Sequence, residues 1–431
     1  MPARVLLLAL CLLAPFQAAA FGQAPAPARP ALEVPTGAAA GPTFDAVRAT
    51  DVYLATVPPD KRARSDAYFE GGYWIQLWGF LYTSAVLWLI LSLGWSAAMR
   101  DRAVRITRFP LLQVPVYWVQ LGSAMAVLTF PLTFYTDFIR EHQYGMATQS
   151  FGPWFGDQAK AYGVMLIAGS IVTTGLYAVL RRVGESWWLW ATGVVVVFSV
   201  IGVMIAPVYI APLFNSYTRL ADASVRTPIL SMARANGIPA DDVYVVDQSR
   251  QTTRISANVS GLGRTMRISL NDNLLNRGSL EEIEAVLGHE MGHYVLNHVV
   301  KGLLEIAILT AVGFAFVARL FERLRRRFPR WGIGSVSDVA GLPLIVLLFG
   351  AYQFVATPIT NTIVRTNEQE ADMFGLNASR QPDGFANAAL KLGEYRKLAP
   401  GPIEEVVFFD HPSGRTRILN AMRWKAEQEK K

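Results

Sequence analysis

Three of the five histidines in this 431-residue chain lie in one short stretch, AVLGHEMGHYVLNH. On an α-helix, positions four apart lie on the same face, so His289 and His293 can direct two imidazoles at one metal ion. Glu290 lies beside them and can act on a water molecule there without being a ligand, so this HExxH spacing predicts a zinc site. The alternative is a pair of core histidines. Against it, Gly288 and Gly292 would each cost about 1 kcal/mol relative to alanine in an ordinary helix, which indicates close packing or access.

A third ligand is needed, because a catalytic zinc usually takes three protein ligands and leaves one position for water. The later stretch RTNEQEADMFG offers Glu368, Glu370 and Asp372 as candidates. Glu368 and Asp372 share a helical face, so one could bind the metal while the other holds a ligand histidine from behind. Taken alone, the stretch would also suit a solvated acidic helix face.

The elements that would position these residues form a small α/β module. Ser279 and Glu282 have the spacing of a capping box at the start of the HExxH helix. Upstream, VYVVD, RISANVSG and MRISL alternate like strands. Before them, Thr227 and Pro228 predict a helix start and Gly237 a helix end.

Most of the remaining chain is apolar. Hydrophobic residues make up 52% of it and charged residues 17%, whereas soluble proteins carry about a quarter charged residues. Six segments approach the roughly 20 apolar residues that a bilayer requires, and buried core helices of such length are uncommon. We therefore predict a predominantly α-helical integral membrane protein with about six transmembrane helices. The predicted spans are approximately 73–98, 113–135, 161–180, 188–210, 303–321 and 340–360.

Loop charges predict the orientation. The net charge of +7 is concentrated in arginine clusters beside the spans and not on a phosphate-binding face, so nucleic acid is not predicted as a partner. RDRAVRITR, RRVGE and FERLRRRFPR fall in alternate connections, which the positive-inside rule places in the cytoplasm. The polar regions 211–302 and 361–431 would then lie on the extracytoplasmic side.

The N-terminal stretch MPARVLLLALCLLAPFQAAAFG has the layout of a cleavable secretory signal, with an uncleaved anchor as the alternative. Residues 22–45 are rich in Pro, Ala and Gly and predict a flexible tether. The predicted organisation is a signal peptide at 1–20, a tether and amphipathic region at 21–72, four transmembrane helices at 73–210, a catalytic module at 211–302, a transmembrane hairpin at 303–360 and a second catalytic segment at 361–431.

Three motifs occur in the order found in one protease family. VLGHEMGHYVLNH, RTNEQEAD and DHPSGRTRI resemble the HExGH, RxxExxAD and HP-to-Arg elements of the membrane-embedded zinc endopeptidases typified by CAAX prenyl protease 1. The resemblance implies a zincin-like catalytic module that holds one Zn2+ per chain between His289, His293 and Glu368. It also implies that Asp372 and Arg417 support these ligands from behind.

The resemblance further implies how peptide hydrolysis would proceed. Glu290 would be the general base that later delivers its proton to the leaving amine. His411 would donate a hydrogen bond to the developing oxyanion, whereas His298 lies off the ligand face and is interpreted as structural.

Two departures from the family concern peptide recognition. The family usually has a serine where this chain has Val364, and its substrate-lining NAY strand is replaced by SANVSG. We still expect Ser256, Ala257 and Asn258 to form an edge strand that pairs with an extended peptide, since main-chain pairing needs no particular side chains.

The predicted function is that of a zinc metalloendopeptidase in a bacterial inner membrane, with its active site on the periplasmic side. Its substrates would be membrane-associated or misfolded proteins of the envelope. Two alternatives stay open: a CAAX-type prenyl protein endopeptidase with a cytosolic site and, from a different class, an inactive protease-like scaffold.

Overall fold

The computed structural model describes residues 29–261 and 266–429, so the predicted signal segment lies outside the described residues. Helices dominate, and six of those described are long and apolar enough to cross a membrane, which confirms the predicted architecture. The helices are α1 (Ala46–Ala55), α2 (Pro59–Ser92), α3 (Trp95–Ile106), α4 (Pro110–Gln143), α5 (Phe151–Leu180), α6 (Trp187–Leu213), α7 (Ala223–Ala235), α8 (Asp272–Arg277), α9 (Leu280–Val295), α10 (His298–Arg327), α11 (Val339–Ser379), α12 (Pro382–Leu392), α13 (Pro402–Phe408) and α14 (Gly414–Glu429).

Several membrane helices continue well beyond their apolar segments. α2 begins before the predicted span 73–98, and it ends before Gly94, whose φ of 69° breaks the helix ahead of α3. α10 begins before the predicted boundary at 303, and α11 continues past the predicted boundary at 360 as one unbroken helix. The predicted boundaries differ from the observed ones because falling hydropathy marks where a helix leaves the apolar layer and not where the helix ends.

The region predicted as a tether and amphipathic segment at 21–72 contains α1 and the start of α2. Asp45 caps α1 by accepting a hydrogen bond from the backbone of Arg48 at 2.7 Å. Tyr53 is fully buried, and its hydroxyl donates to Oδ1 of Asp383, in the first turn of α12, at 2.7 Å. This region therefore packs on the C-terminal helices. The Pro-, Ala- and Gly-rich composition that predicted a tether ends at about residue 45, and the amphipathic sequence after it forms a helix.

A mixed four-stranded sheet forms the base of the catalytic module, with strand order β1-β2-β4-β3. β2 and β4 run parallel, whereas β1 and β3 run antiparallel to their neighbours. The predicted strands are present, and β1 is an addition that the sequence analysis missed because it is only three residues long. The strands are β1 (Tyr217–Arg219), β2 (Val243–Val246), β3 (Ala257–Ser260) and β4 (Arg267–Asn271).

Helices α7 and α9 cover one face of this sheet. Ile229 of α7, Ile268 of β4 and Ile283 of α9 are fully buried in the shared core. α7 begins earlier than Thr227 and Pro228 indicated, because Asp222 caps it by accepting from the backbone of Ser224 at 2.9 Å. The core fixes the start of the HExxH helix against the sheet.

The three arginine-rich connections meet at the end of the bundle away from the sheet. Arg100, between α2 and α4, donates to the Gly332 carbonyl at 2.8 Å and pairs with Asp338 at 2.7 Å, between α10 and α11. Arg181, which follows α5, donates to the Pro110 carbonyl at the start of α4 at 2.9 Å. The basic loops of alternate connections thus share one end of the bundle.

Candidate active site

Helices α9 and α11 bring His289, His293 and Glu368 together, and one possible ligand atom from each lies within 4.8 Å of the others. The Nε2 atoms of the two histidines are 3.1 Å apart. The carboxylate of Glu368 lies 3.3 Å from Nε2 of His289 and 3.4 Å from Nε2 of His293. The two histidines of the HExxH motif and the distant carboxylate therefore meet at one point, although the apolar parts of α10 and α11 separate them along the chain.

Local sequence explains the start of α9. Ser279 accepts from the backbone of Glu282 at 3.3 Å, and the Glu282 carboxylate accepts from the backbone of Ser279 at 2.7 Å. This is the predicted capping box. It fixes the first turn of the helix, and two further turns carry the chain to the histidines.

Glycines allow α9 and α11 to approach closely enough for their ligands to meet. A Cβ on Gly292 would lie 3.1 Å from Cα of Ala371, and one on Gly288 would lie 3.0 Å from the carbonyl oxygen of Gly375. On the facing helix, a Cβ on Gly375 would lie 2.7 Å from the backbone nitrogen of His289. The helix glycines of the motif therefore serve backbone packing, which is one of the reasons that the sequence suggested.

The donor set fits a divalent metal ion. The other ring nitrogens of both histidines are occupied, since Nδ1 of His289 lies 2.8 Å from Asp372 and Nδ1 of His293 lies 2.9 Å from Nδ1 of His298. Both Nε2 atoms therefore face the shared point. Oε2 of Glu368 is buried there, and although histidine nitrogens lie within 3.3 Å, it makes no hydrogen bond of good geometry with the described residues. Two imidazoles and one carboxylate are ligands typical of zinc.

Asp372 and Arg417 lie behind the first histidine, as the motif resemblance implied. Asp372 is completely buried. Nε of Arg417 donates to its Oδ2 at 3.0 Å, and Nη2 of Arg417 donates to Oδ1 in a second, shorter contact. The bidentate pair neutralises both buried charges and directs Oδ1 at the ring of His289.

Burial and neighbouring charges shift the pKa values on α9 strongly. Burial raises the pKa of Glu290 to about 7. Burial and the charge of His289 lower the pKa of His293 to about 4, so this ring is neutral and able to act as a ligand. Burial opposes the charged form of His289, but the carboxylates of Asp372 and Glu368 outweigh it and raise its pKa to about 9.

His411 reaches the site from the loop between α13 and α14. Its Nε2 lies 3.2 Å from Oε2 of Glu368, and its Nδ1 lies 2.8 Å from Asp410. From the facing helix α11, Arg365 donates to the carbonyl of Glu405 at 3.0 Å and holds the segment that leads to this loop. His411 is thus oriented beside the point where the ligand atoms meet.

A cavity of about 200 Å³ opens beside these groups, and Glu290 and His411 lie in its wall. Of the three residues predicted to bind substrate, Ser256 and Ala257 line this cavity. Asn258 is exposed and does not line it.

The sequence did not indicate the contact between His298 and Glu370 beside the site. His298, interpreted as structural, lies against His293, and its Nε2 lies 3.1 Å from Glu370. The LNH sequence after the motif could have indicated a helix end before His298, because asparagine tolerates the left-handed conformation that ends a helix. Asn297 has a φ of 56° there and directs His298 back toward the ligand.

Two protein-family models match the chain and together cover most of it. Residues 48–216 match the CAAX prenyl protease N-terminal model, described as five membrane helices, and residues 219–425 match peptidase family M48. In the first range the structure has four helices long enough to cross a membrane. With the fold and the clustered ligands, these matches identify the chain as a membrane-embedded metallopeptidase of family M48.

Individual relatives agree with this class. The chain is 29% identical over 339 residues to the uncharacterized metalloprotease YhfN of Bacillus subtilis, covering 78% of this chain and 79% of that protein. It is 28% identical over 333 residues to CAAX prenyl protease 1 of Saccharomyces cerevisiae, covering 72% of each. The crystal structure of S. mikatae Ste24p superposes with a TM-score of 0.71 at 22% identity, covering 85% of this chain and 89% of that one. This last similarity concerns the fold.

Proposed function

We propose that this protein is a zinc-dependent endopeptidase that cleaves membrane-associated or misfolded proteins at the periplasmic face of a bacterial inner membrane. One observation carries the proposal: His289, His293 and Glu368 converge next to Glu290, which lines the same cavity. A scaffold without activity would not need a base beside a ligand cluster in an open cavity.

Different residues of the site would bind the metal, transfer the proton and stabilise the oxyanion. His289, His293 and Glu368 would hold zinc, which when bound supplies Lewis-acid activation of a water molecule. Glu290 takes the proton of the attacking water and returns it to the leaving amine, and it lines the cavity beside the ligands. Nε2 of His411 can donate a hydrogen bond to the oxyanion of the tetrahedral intermediate.

Strand β3 offers a means of holding the substrate. It lies at the edge of the sheet, where β4 is its only partner among the described strands. An extended peptide can therefore add to the other side of β3 through main-chain hydrogen bonds. Ser256 and Ala257 would place such a peptide along the cavity that contains Glu290.

Loop charge supports the periplasmic location. The arginine-rich connections share the end of the bundle away from the sheet, as Arg100 and Arg181 illustrate. If that end faces the cytoplasm, as the positive-inside rule indicates, the catalytic module faces the periplasm. Misfolded envelope proteins are substrates that such a location supplies.

A CAAX-type prenyl protein endopeptidase is the second candidate. The similarity to relatives named CAAX prenyl protease 1, from yeast to human, favours it. It requires prenylated substrates on the side of the catalytic module, whereas the positive-inside rule favours an extracytoplasmic position for that module. A direct comparison of substrates separates the two candidates.

The test uses full-length protein purified in detergent and loaded with zinc. We expect cleavage of an unfolded casein-type substrate by the wild type and by Glu281→Gln, a matched change on the same helix. Glu290→Gln is expected to retain zinc and lose cleavage. Full activity of Glu290→Gln would refute its role as the base. Cleavage of a farnesylated CAAX peptide but not of casein would select the second candidate. Stoichiometric zinc with no cleavage of either substrate would indicate a scaffold.

A further inference from the structure

We infer that His298 and Glu370 form a hydrogen-bonded relay behind His293 that fixes the tautomer and the orientation of this metal ligand. The inference rests on the proposed metal site. It assigns His298 and Glu370 as positioning residues, because neither reaches the point where the ligand atoms of His289, His293 and Glu368 meet.

The contacts form an unbroken chain from the site toward solvent. Nδ1 of His293 lies 2.9 Å from Nδ1 of His298, and Nε2 of His298 lies 3.1 Å from Oε2 of Glu370. Nζ of Lys301 donates to the same oxygen of Glu370 at 2.9 Å. The side chain of His298 is 6% exposed, whereas that of Glu370 is 46% exposed. A buried ring therefore connects the ligand to a carboxylate at the surface.

The requirement for a ligand lone pair decides the position of each proton. A neutral imidazole carries one proton, so His293 can present a lone pair at Nε2 only if its proton is on Nδ1. That N–H must donate to Nδ1 of His298, since two facing ring nitrogens need one donor and one acceptor. The proton of His298 is then on Nε2, where it donates to Glu370. One ionised carboxylate at the end thus sets both tautomers.

The backbone is built to make this contact. α9 ends at Val295, Asn297 takes the left-handed conformation with φ 56° and ψ 36°, and α10 begins at His298. This reversal places His298 against the preceding helical turn. A continuous helix would carry position 298 to a different face from position 293, since five residues exceed one turn.

The two histidine ligands are therefore supported by different means. Asp372 contacts His289 directly and is itself paired with Arg417 inside the protein. His293 reaches its carboxylate only through an intervening imidazole. Outer partners of metal-binding histidines commonly contribute 10–100-fold to metal affinity. We expect His298 to contribute an effect of that size and the exposed Glu370 a smaller one.

The test measures zinc binding by the full-length protein in detergent. Metal-free protein is titrated with Zn2+ against a chromogenic chelator. His298→Phe removes the acceptor but keeps a planar ring, and its Kd for zinc is expected to be about 10–100-fold higher. His298→Asn is expected to recover much of this loss, because its Oδ1 can replace Nδ1 as the acceptor. Glu370→Gln is expected to raise the Kd severalfold.

A control variant separates the relay from the general effect of replacing a hydrogen-bonded histidine by phenylalanine. The ring nitrogens of His142 form hydrogen bonds with backbone carbonyls, at 2.7 Å for Phe138 and 2.8 Å for Gln149, far along the chain from the motif. His142→Phe is therefore expected to bind zinc like the wild type. The thermal stability of metal-free Glu370→Gln should also equal that of the wild type, which a purely structural role for Glu370 would not allow.

Two results would overturn the relay. One is a zinc Kd within about twofold of the wild type for both His298→Phe and Glu370→Gln. The other is an equal loss of zinc affinity in His142→Phe. If His298→Phe does not fold, the exposed Glu370→Gln decides alone. None of these measurements uses a peptide, so failure of the relay and failure of the proposed peptidase activity are distinguishable.

Discussion

The contact between α9 and α11 makes a quantitative prediction for Gly375→Ala. The new Cβ would lie 2.7 Å from the backbone nitrogen of His289 and 2.9 Å from its Cα. Non-bonded heavy atoms prefer about 3.5–4.0 Å, so the two helices must separate by roughly 1 Å. Neither contact involves a flexible side chain that could rotate away. The ligand residue itself therefore has to move.

Two opposing energies determine the effect of Gly375→Ala on stability. Alanine is favoured over glycine inside a helix by about 1 kcal/mol. Overpacking in a close-packed interior costs about 1–3 kcal/mol. The net change is expected to be a loss of up to about 2 kcal/mol. Activity is expected to suffer more, because a displacement of about 1 Å at a reacting centre can lower the rate about 100-fold.

The assay combines thermal unfolding, zinc content and peptide cleavage, with Gly350→Ala as the control. Gly350 lies on the same helix, and a Cβ there would meet nothing within 4 Å. Gly350→Ala is therefore expected to keep zinc and full activity and to be no less stable than the wild type. If Gly375→Ala behaves in the same way, the close approach of the two helices does not position the ligands, and this reasoning is refuted.

Three further predictions follow from the surroundings of the site. Asp372→Asn is expected to weaken zinc binding about 10–100-fold and to destabilise the fold by about 3–5 kcal/mol, since it leaves the buried Arg417 unpaired. Chelator competition measures the zinc affinity and thermal unfolding measures the stability. Unchanged values of both would contradict the assigned contact. The pKa of His289 without metal is about 9, so zinc must displace a proton from this ring when it binds below that pH. The affinity for zinc should therefore rise about tenfold per pH unit from about pH 7 to about pH 9. A zinc affinity that does not change with pH would show that the ring is already neutral. A phosphatase reporter fused after residue 431 should be active outside the cytoplasm and one fused near Arg326 silent; the reverse pattern would invert the proposed topology.

The chemistry of the site was predictable because it depends on spacing within single helices. HExxH places two imidazoles on one face, and the acidic stretch offered Glu368, Glu370 and Asp372 at helical spacing. The structure gives each of these carboxylates a different neighbour. Glu368 faces both histidines, Asp372 contacts the first, and Glu370 contacts His298. Spacing alone could not distinguish them, because all three lie within little more than one helical turn.

The extent of the helices was less predictable because the apolar signal ends before the helix does. α11 runs from Val339 to Ser379, and its polar second half carries Glu368 and Asp372 into the catalytic module. The docking of α1 was missed for a related reason. Its contacts with the C-terminal helices, such as Tyr53 with Asp383, join residues far apart in the sequence. A pattern within a short stretch of sequence does not predict a contact between residues so far apart.

The continuity of α11 has a consequence for how the site is assembled. His289 and His293 precede α10, whereas Glu368 and Asp372 follow the apolar half of α11. A chain that ends before the hairpin therefore contains two of the three ligands and lacks the carboxylate that supports His289. Because Gly375 contacts the backbone of His289 directly, the same packing that seats the hairpin also sets the distance between the ligands. Completion of the metal site thus requires the last membrane helix, which would keep a chain that lacks it from acting as a peptidase.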